Sequence, residues 1–146
     1  MNYRTPLVCV SGGMDPVMIG HIRYIQGAAK YGDVVVILNS DEWLVRKKGY
    51  KFMPFDQRKE ILLAIKGVKY VVAVDDADGT VMKSLRDIRP DFFANGGDRK
   101  EGNTPEKELC ESLGIVMLWG VGGTDKVSSS SQTVASSWEG LLGNLG

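Results

Sequence analysis

Five short runs of almost unbroken apolar residues recur along this chain, and they constrain its fold more than any other feature. They read "LVCVSGG" (7–13), "DVVVILNS" (33–40), "YVVAVDD" (70–76), "DFFANGG" (91–97) and "IVMLWG" (115–120). A strand with one wet face alternates apolar and polar residues; these do not alternate, so both their faces must be covered. Between them the pattern switches to helical period. In "IGHIRYIQGAAKYG" (19–32), Ile22, Ile25, Ala28 and Ala29 share one face and Gly32 ends the segment. "PFDQRKEILLAIKG" (54–67) opens on Pro54 and closes on Gly67, "TVMKSLRDIRP" (80–90) stops at Pro90, and Thr104 and Pro105 begin a helix through Leu113. A last helix follows the serine run at 128–131. Strands alternating with helices predict one α/β domain over residues 1–146. It is a doubly wound, Rossmann-like, five-stranded parallel sheet with helices on both faces.

In such a sheet ligands lie beyond the carboxyl ends of the strands. That rule selects segments 11–21, 39–51, 75–79, 94–99 and 120–130. Composition narrows the ligand. Eighteen basic residues balance eighteen acidic ones, which argues against wholesale nucleic-acid binding and leaves a local anion pocket open. No apolar stretch approaches a membrane span, and "MNYRTPLVCV" is too short for a signal peptide. Cys9 and Cys110, one in an apolar run and one in a helical pattern, read as buried thiols in a reducing compartment. The expectation is a cytoplasmic domain with no nucleic-acid or membrane partner.

The first selected segment, "SGGMDPVMIGH" (11–21), carries the most chemistry. Gly12 and Gly13 let the backbone come close to a ligand where the strand ends. The next helix starts near Ile19 or Gly20, so its unpaired amides point into the same space. His21, the chain's single histidine, adds a side-chain donor in that first turn, and Gly20 keeps access open. Together these make a phosphate cradle. Asp75, Asp76 and Asp78 cluster in "DDADGTVMKS", but the segment lacks the closing glutamate of a calcium loop and reads as a loop and helix start.

"GGMDPVMIGH" resembles the G-x-F-D-x-x-H-x-G-H signature of the cytidylyltransferase-like nucleotidyltransferases, with Met14 in the aromatic place and Met18 in the place of the first histidine. "NSDEWLVRKKG", "PFDQR", "ANGGD" and "TDKVSSS" are similar to later segments of glycerol-3-phosphate cytidylyltransferase and of the heptose-phosphate adenylyltransferase domain. The resemblance implies that a phosphate on an acceptor attacks the α-phosphorus of a nucleoside triphosphate and pyrophosphate leaves. That nucleophile is already anionic, so the reaction needs positioning and charge stabilisation rather than a triad.

By resemblance, His21, Lys48 and Arg58 are the catalytic set, with Lys47 as the rival of Lys48. Gly12, Gly13, Asp15, Met18, Gly20, His21, Gly97, Asp98, Ser128, Ser129 and Ser130 form the nucleotide site. Lys48 would reach phosphate from a mobile loop over 45–53, Arg58 would enter from a helix start, and Asp15 would brace the first loop. Mg²⁺ would ride on the triphosphate, and a homodimer is implied. The donor reads as CTP and the acceptor as a small phosphorylated or phosphonylated alcohol. ATP with a sugar phosphate is the alternative, since "GGD" leans toward the heptose-type enzymes. Met18 also leaves open a silent nucleotide-binding module, because a thioether donates no hydrogen bond.

Overall fold

The computed structural model describes residues 5–74, 80–97 and 105–123. Strands β1 (Leu7–Gly12), β2 (Asp33–Leu38), β3 (Val68–Ala73), β4 (Phe92–Gly96) and β5 (Val116–Val121) form one parallel sheet in the order β3-β2-β1-β4-β5. Helices α1 (Ile19–Ala29), α2 (Asp41–Lys48), α3 (Phe55–Leu63), α4 (Met82–Ile88) and α5 (Lys107–Leu113) connect them. The unbroken apolar runs have the expected two covered faces in β1, β2 and β4, whereas the edge strands β3 and β5 leave Tyr70 and Val116 exposed. On one face Val8, Val10, Val34 and Val36 pack with Ile25 and Ala28 of α1 and Leu62 of α3. On the other, Cys9, Val35, Ile37 and Phe93 pack with Leu85 of α4 and Cys110 of α5. Among the described residues no helix is long and apolar enough to cross a membrane.

The chain winds outward from β1 to β3 and then crosses to β4, so the winding reverses between β1 and β4. β1 and β2 pair through six consecutive residues, from Leu7–Asp33 to Gly12–Leu38. β1 and β4 pair only at Val8–Phe92 and Cys9–Phe93. Beyond those pairs the Tyr24 hydroxyl of α1 bridges the two strands, donating to Ala94 O and accepting from Ser11 N at 3.4 Å. α1 also closes tightly on the end of β5. Gly122 has φ +90°, and a Cβ there would lie 2.8 Å from Tyr24 Cα.

Some boundaries depart from the sequence expectation, and α3 ends at Leu63 rather than at Gly67. Residues 45–48 belong to α2 rather than to a loop running to 53. Ser40 caps the helix by accepting from Trp43 N at 3.0 Å. Asp41 and Glu42 occupy the first turn, Arg46, Lys47 and Lys48 the last, and Gly49 ends it at φ +86°. Those charges complement the helix dipole. The third strand also runs earlier than expected, ending at Ala73. The expected metal-free aspartate loop at 75–79 and the last helix lie outside the described residues.

Candidate functional site

Asp15 is the centre of the site's first layer. It is 2 % exposed, and its carboxylate accepts from Phe52 N at 2.6 Å, from Met53 N, and from Lys48 Nζ at 3.3 Å. Lys48 Nζ also donates to Asp15 O at 2.9 Å. The loop after β1 is thus tied to the end of α2 and to the segment that follows it. Met14, in the left-handed region at φ +49° and buried, turns the chain into this arrangement, and a cis peptide precedes Pro16. Lys48 lies over the Tyr50 ring at 4.9 Å, while Lys47 turns to the Trp43 ring. Of the two lysines, Lys48 faces the loop.

Arg58 departs from its expected reach toward phosphate. Its side chain is fully buried. Nε donates to Met53 O at 2.9 Å, Nη1 to Gly13 O at 2.7 Å and to Asn39 O at 2.9 Å, and Nη2 to Asp41 Oδ1 at 2.8 Å. Four of its five N–H donors are therefore held by the scaffold. The planar fork fits this work because it reaches acceptors in several directions at once. It gathers the ends of β1 and β2, the start of α2 and the 49–53 segment, so in this structure it is a positioning residue. Asp41, held by Arg58 and by Lys51 at 3.3 Å, feels two opposing influences. Burial pushes its carboxyl up, but the bonds from Arg58 and Lys51 outweigh that and leave it below its ordinary value.

Gly13 also has a local reason. A Cβ there would lie 2.7 Å from Leu44 Cδ2, so α2 packs directly on the glycine turn. Its small size serves the approach of this helix. Gly12 O accepts from Asn39 N at 3.1 Å, which joins the ends of β1 and β2.

The start of α1 carries the chain's single histidine. Met18 is the N-cap residue of α1, in extended conformation, and its carbonyl accepts from His21 N and Ile22 N. The amides of Ile19 and Gly20 in the first turn have no intrahelical acceptor. His21 Nδ1 accepts from Met18 N at 2.9 Å. An imidazole that accepts through Nδ1 carries its proton on Nε2. Burial and then the charge of Lys48 lower the His21 pKa below its ordinary value, so the ring is neutral at pH 7. The result is a neutral Nε2–H donor fixed at a helix N-terminus beside a lysine.

Across the winding reversal, Gly97 follows β4 and is exposed. Asp98, Ser128, Ser129 and Ser130, the rest of the expected nucleotide site, lie outside the described residues. Two residues with site geometry were not anticipated. Tyr24 bridges β1 and β4, and nothing in a helical tyrosine announces that. Asn95 is 1 % exposed, and its Oδ1 is buried with no hydrogen-bond partner among the described residues. Such an acceptor costs about 1–3 kcal/mol. A polar residue inside "FFANGG" was the available signal. Burial raises the Cys9 thiol to about 12 and the Cys110 thiol to about 11, with smaller contributions from Cys110 on the first and from Glu106 on the second. Neither is a nucleophile at neutral pH. Among the described residues no group of three or more His, Cys, Asp or Glu side chains could hold a metal ion.

The cytidylyltransferase-like family model matches residues 9–137. Among curated proteins, the bifunctional protein HldE of Geobacter metallireducens is 35% identical over 111 residues, covering 74% of this chain and 22% of its own length. The bifunctional protein HldE of Yersinia enterocolitica is 34% identical over 133 residues, covering 89% of this chain and 26% of its own. The chain thus spans about a quarter of the length of these relatives. A solved lipopolysaccharide core biosynthesis protein from Thermoplasma volcanium matches with a TM-score of 0.63 and 24% identity, over 80% of this chain and 94% of that one, and shares the fold. Matched by the family model over residues 9–137, the chain belongs to the cytidylyltransferase-like family of nucleotidyltransferases.

Proposed function

We propose that the domain transfers a nucleoside monophosphate from a nucleoside triphosphate to a phosphorylated acceptor. The observation that carries this reading is the fixed Nε2–H of His21 at the start of α1, beside Lys48. The triphosphate lies across the amides of Ile19 and Gly20 and the His21 imidazole. An oxygen of the acceptor phosphate attacks the α-phosphorus, the bond to the bridging oxygen breaks, and pyrophosphate departs with its electron pair. No proton needs to move. The His21 donor and the Lys48 charge offset the negative charge that builds on the phosphoryl oxygens. Asp15 and Arg58 keep those groups in place without touching the ligand. Magnesium would be held by the triphosphate rather than by Asp15, whose carboxylate already accepts from two amides and a lysine. When bound, the ion neutralises phosphate charge.

The HldE relatives favour AMP transfer from ATP to a sugar phosphate, in line with the heptose-type "GGD" of residues 96–98. The family model's cytidylyltransferase description supports a second reading, with CTP and a phosphorylated or phosphonylated alcohol. Pyrophosphate release decides between them. The protein is incubated with ATP or CTP, Mg²⁺, and either heptose 1-phosphate or glycerol 3-phosphate. Release with ATP and the sugar phosphate is expected; release only with CTP establishes the second reading. Binding without release from any pair makes the domain a silent module, as Met18 first suggested. The reading also includes a homodimer, with exposed Val45 and Phe52 under the partner. A monomeric mass by light scattering at micromolar protein removes it.

A further inference from the structure

The unpartnered oxygen of Asn95 has a definite orientation. β4 sends Phe93 to the α4–α5 face and Ala94 to the α1–α3 face. Asn95 follows at the carboxyl end of the strand, where the ladder with β5 is irregular. Ala94 pairs with Leu118 and Gly96 with Val121, so Asn95 faces two residues of β5. Asn95 Nδ2 donates to Leu118 O at 3.1 Å and lies 3.5 Å from Phe93 O. Both neighbours of that atom are carbonyl oxygens, so rotating the amide would set oxygen against oxygen. The two carbonyls therefore fix Oδ1 as the free end, a buried acceptor with no donor among the described residues. Buried acceptors are rarely kept in this state.

Its place in the fold says what the donor belongs to. Asn95 stands on the first strand across the reversal from β1, one residue before the Gly96–Gly97 turn. A nucleotide with its phosphates at the start of α1 extends its nucleoside toward β4. We propose that Asn95 Oδ1 accepts from the exocyclic amino group of the base, making Asn95 a specificity-determining residue. This rests on the nucleotidyltransferase reading. A ribose hydroxyl both donates and accepts, and it loses little by staying in water. The amino group is a donor on a flat ring edge and matches an acceptor shielded from water. Adenine and cytosine both carry such a group opposite their sugar, whereas hypoxanthine and uracil carry an oxygen there. Oxygen facing Oδ1 is repulsive, so the residue selects against those bases whichever amino base is used.

Calorimetry with the intact protein and Mg²⁺ tests this with ATP, inosine triphosphate, purine-riboside triphosphate, CTP and UTP. The expected result is a preference of about tenfold or more for the amino-bearing nucleotide of each pair, and for ATP over purine-riboside triphosphate. Asn95→Leu should reduce that preference to under about threefold while the triphosphate still binds. Asn95→Ser, smaller and without the reach, should do the same if the leucine variant folds poorly. Equal binding of all five by the native protein overturns the assignment and leaves the nucleotide reading intact, as a buried water on Oδ1 would require. An unchanged preference in a folded variant also overturns it. Binding of no triphosphate removes both.

Discussion

The two sides of the winding reversal are built differently. On the β1–β2 side the strands pair through six consecutive residues, and Asp15 and Arg58 bind the loops beyond them. On the β4–β5 side the ladder with β1 has two pairs, the register slips at Asn95, and a buried acceptor lacks a partner. The first side is complete by itself, and the second is not. Held dipoles stabilise developing charge because they need no reorganisation at the moment of reaction. An incomplete polar group instead favours whichever ligand completes it. The proposed function puts the chemistry on the β1–α1 side, and the role proposed for Asn95 puts selection on the β4 side.

Breaking the complete side should have the largest effect. Arg58→Ala empties the space of a fully buried side chain and removes its donors from three carbonyls and from Asp41, which keeps Lys51. It should lower stability by about 3–5 kcal/mol in urea unfolding. Arg58→Lys keeps the charge but not the fork and should recover only part of that. A loss below about 1 kcal/mol would mean that these bonds do not hold the loops.

His21→Ala probes the ligand-facing part of the same side. Turnover should fall by about 10²–10³, with a smaller change in affinity and an unchanged fold. A variant with native turnover would remove the imidazole from the mechanism. Gly13→Ala is milder, because the new methyl meets Leu44 at the close distance given above. It should cost about 1–3 kcal/mol in the same unfolding assay. Combining it with Leu44→Ala should cost less than the two separate losses added together, since the cavity admits the methyl. Simple additivity would show that α2 does not press on the glycine turn.

Much of the frame was legible from residues alone. The five apolar runs, the Gly32 and Pro90 stops and the helix start at Ile19 follow from periodicity and backbone chemistry. α2 escaped because its helical signals are polar. Leu44 is its one buried residue, so no apolar stripe marks it, although the Ser40 cap and Gly49 stop were present. His21 was visible because it is the chain's single histidine, at a glycine-marked helix start. Arg58 was visible as a cation but not as a bracket, since its acceptors are main-chain carbonyls that folding alone brings together. Carbonyls have no residue signature. Asn95 was hidden for a related reason, as its free oxygen results from a register slip between strands.

The central claim is that His21 works as a neutral Nε2–H donor next to bound phosphate. Because the chain has one histidine, nitrogen-15 NMR of the imidazole reads this without assignment. In the free protein the ring should show a protonated Nε2 and a bare Nδ1 at pH 7, with a titration midpoint below the ordinary 6.5. The sign for stability follows. Well above 6.5 neither the folded nor the unfolded histidine binds a proton. As pH falls below that value the unfolded chain takes a proton that the folded ring refuses, so stability declines until the folded midpoint is passed. Adding triphosphate and Mg²⁺ should raise the midpoint, since nearby anions favour the imidazolium. A ring protonated on both nitrogens at pH 7, the Nδ1–H tautomer, or a midpoint indifferent to saturating triphosphate would contradict the account.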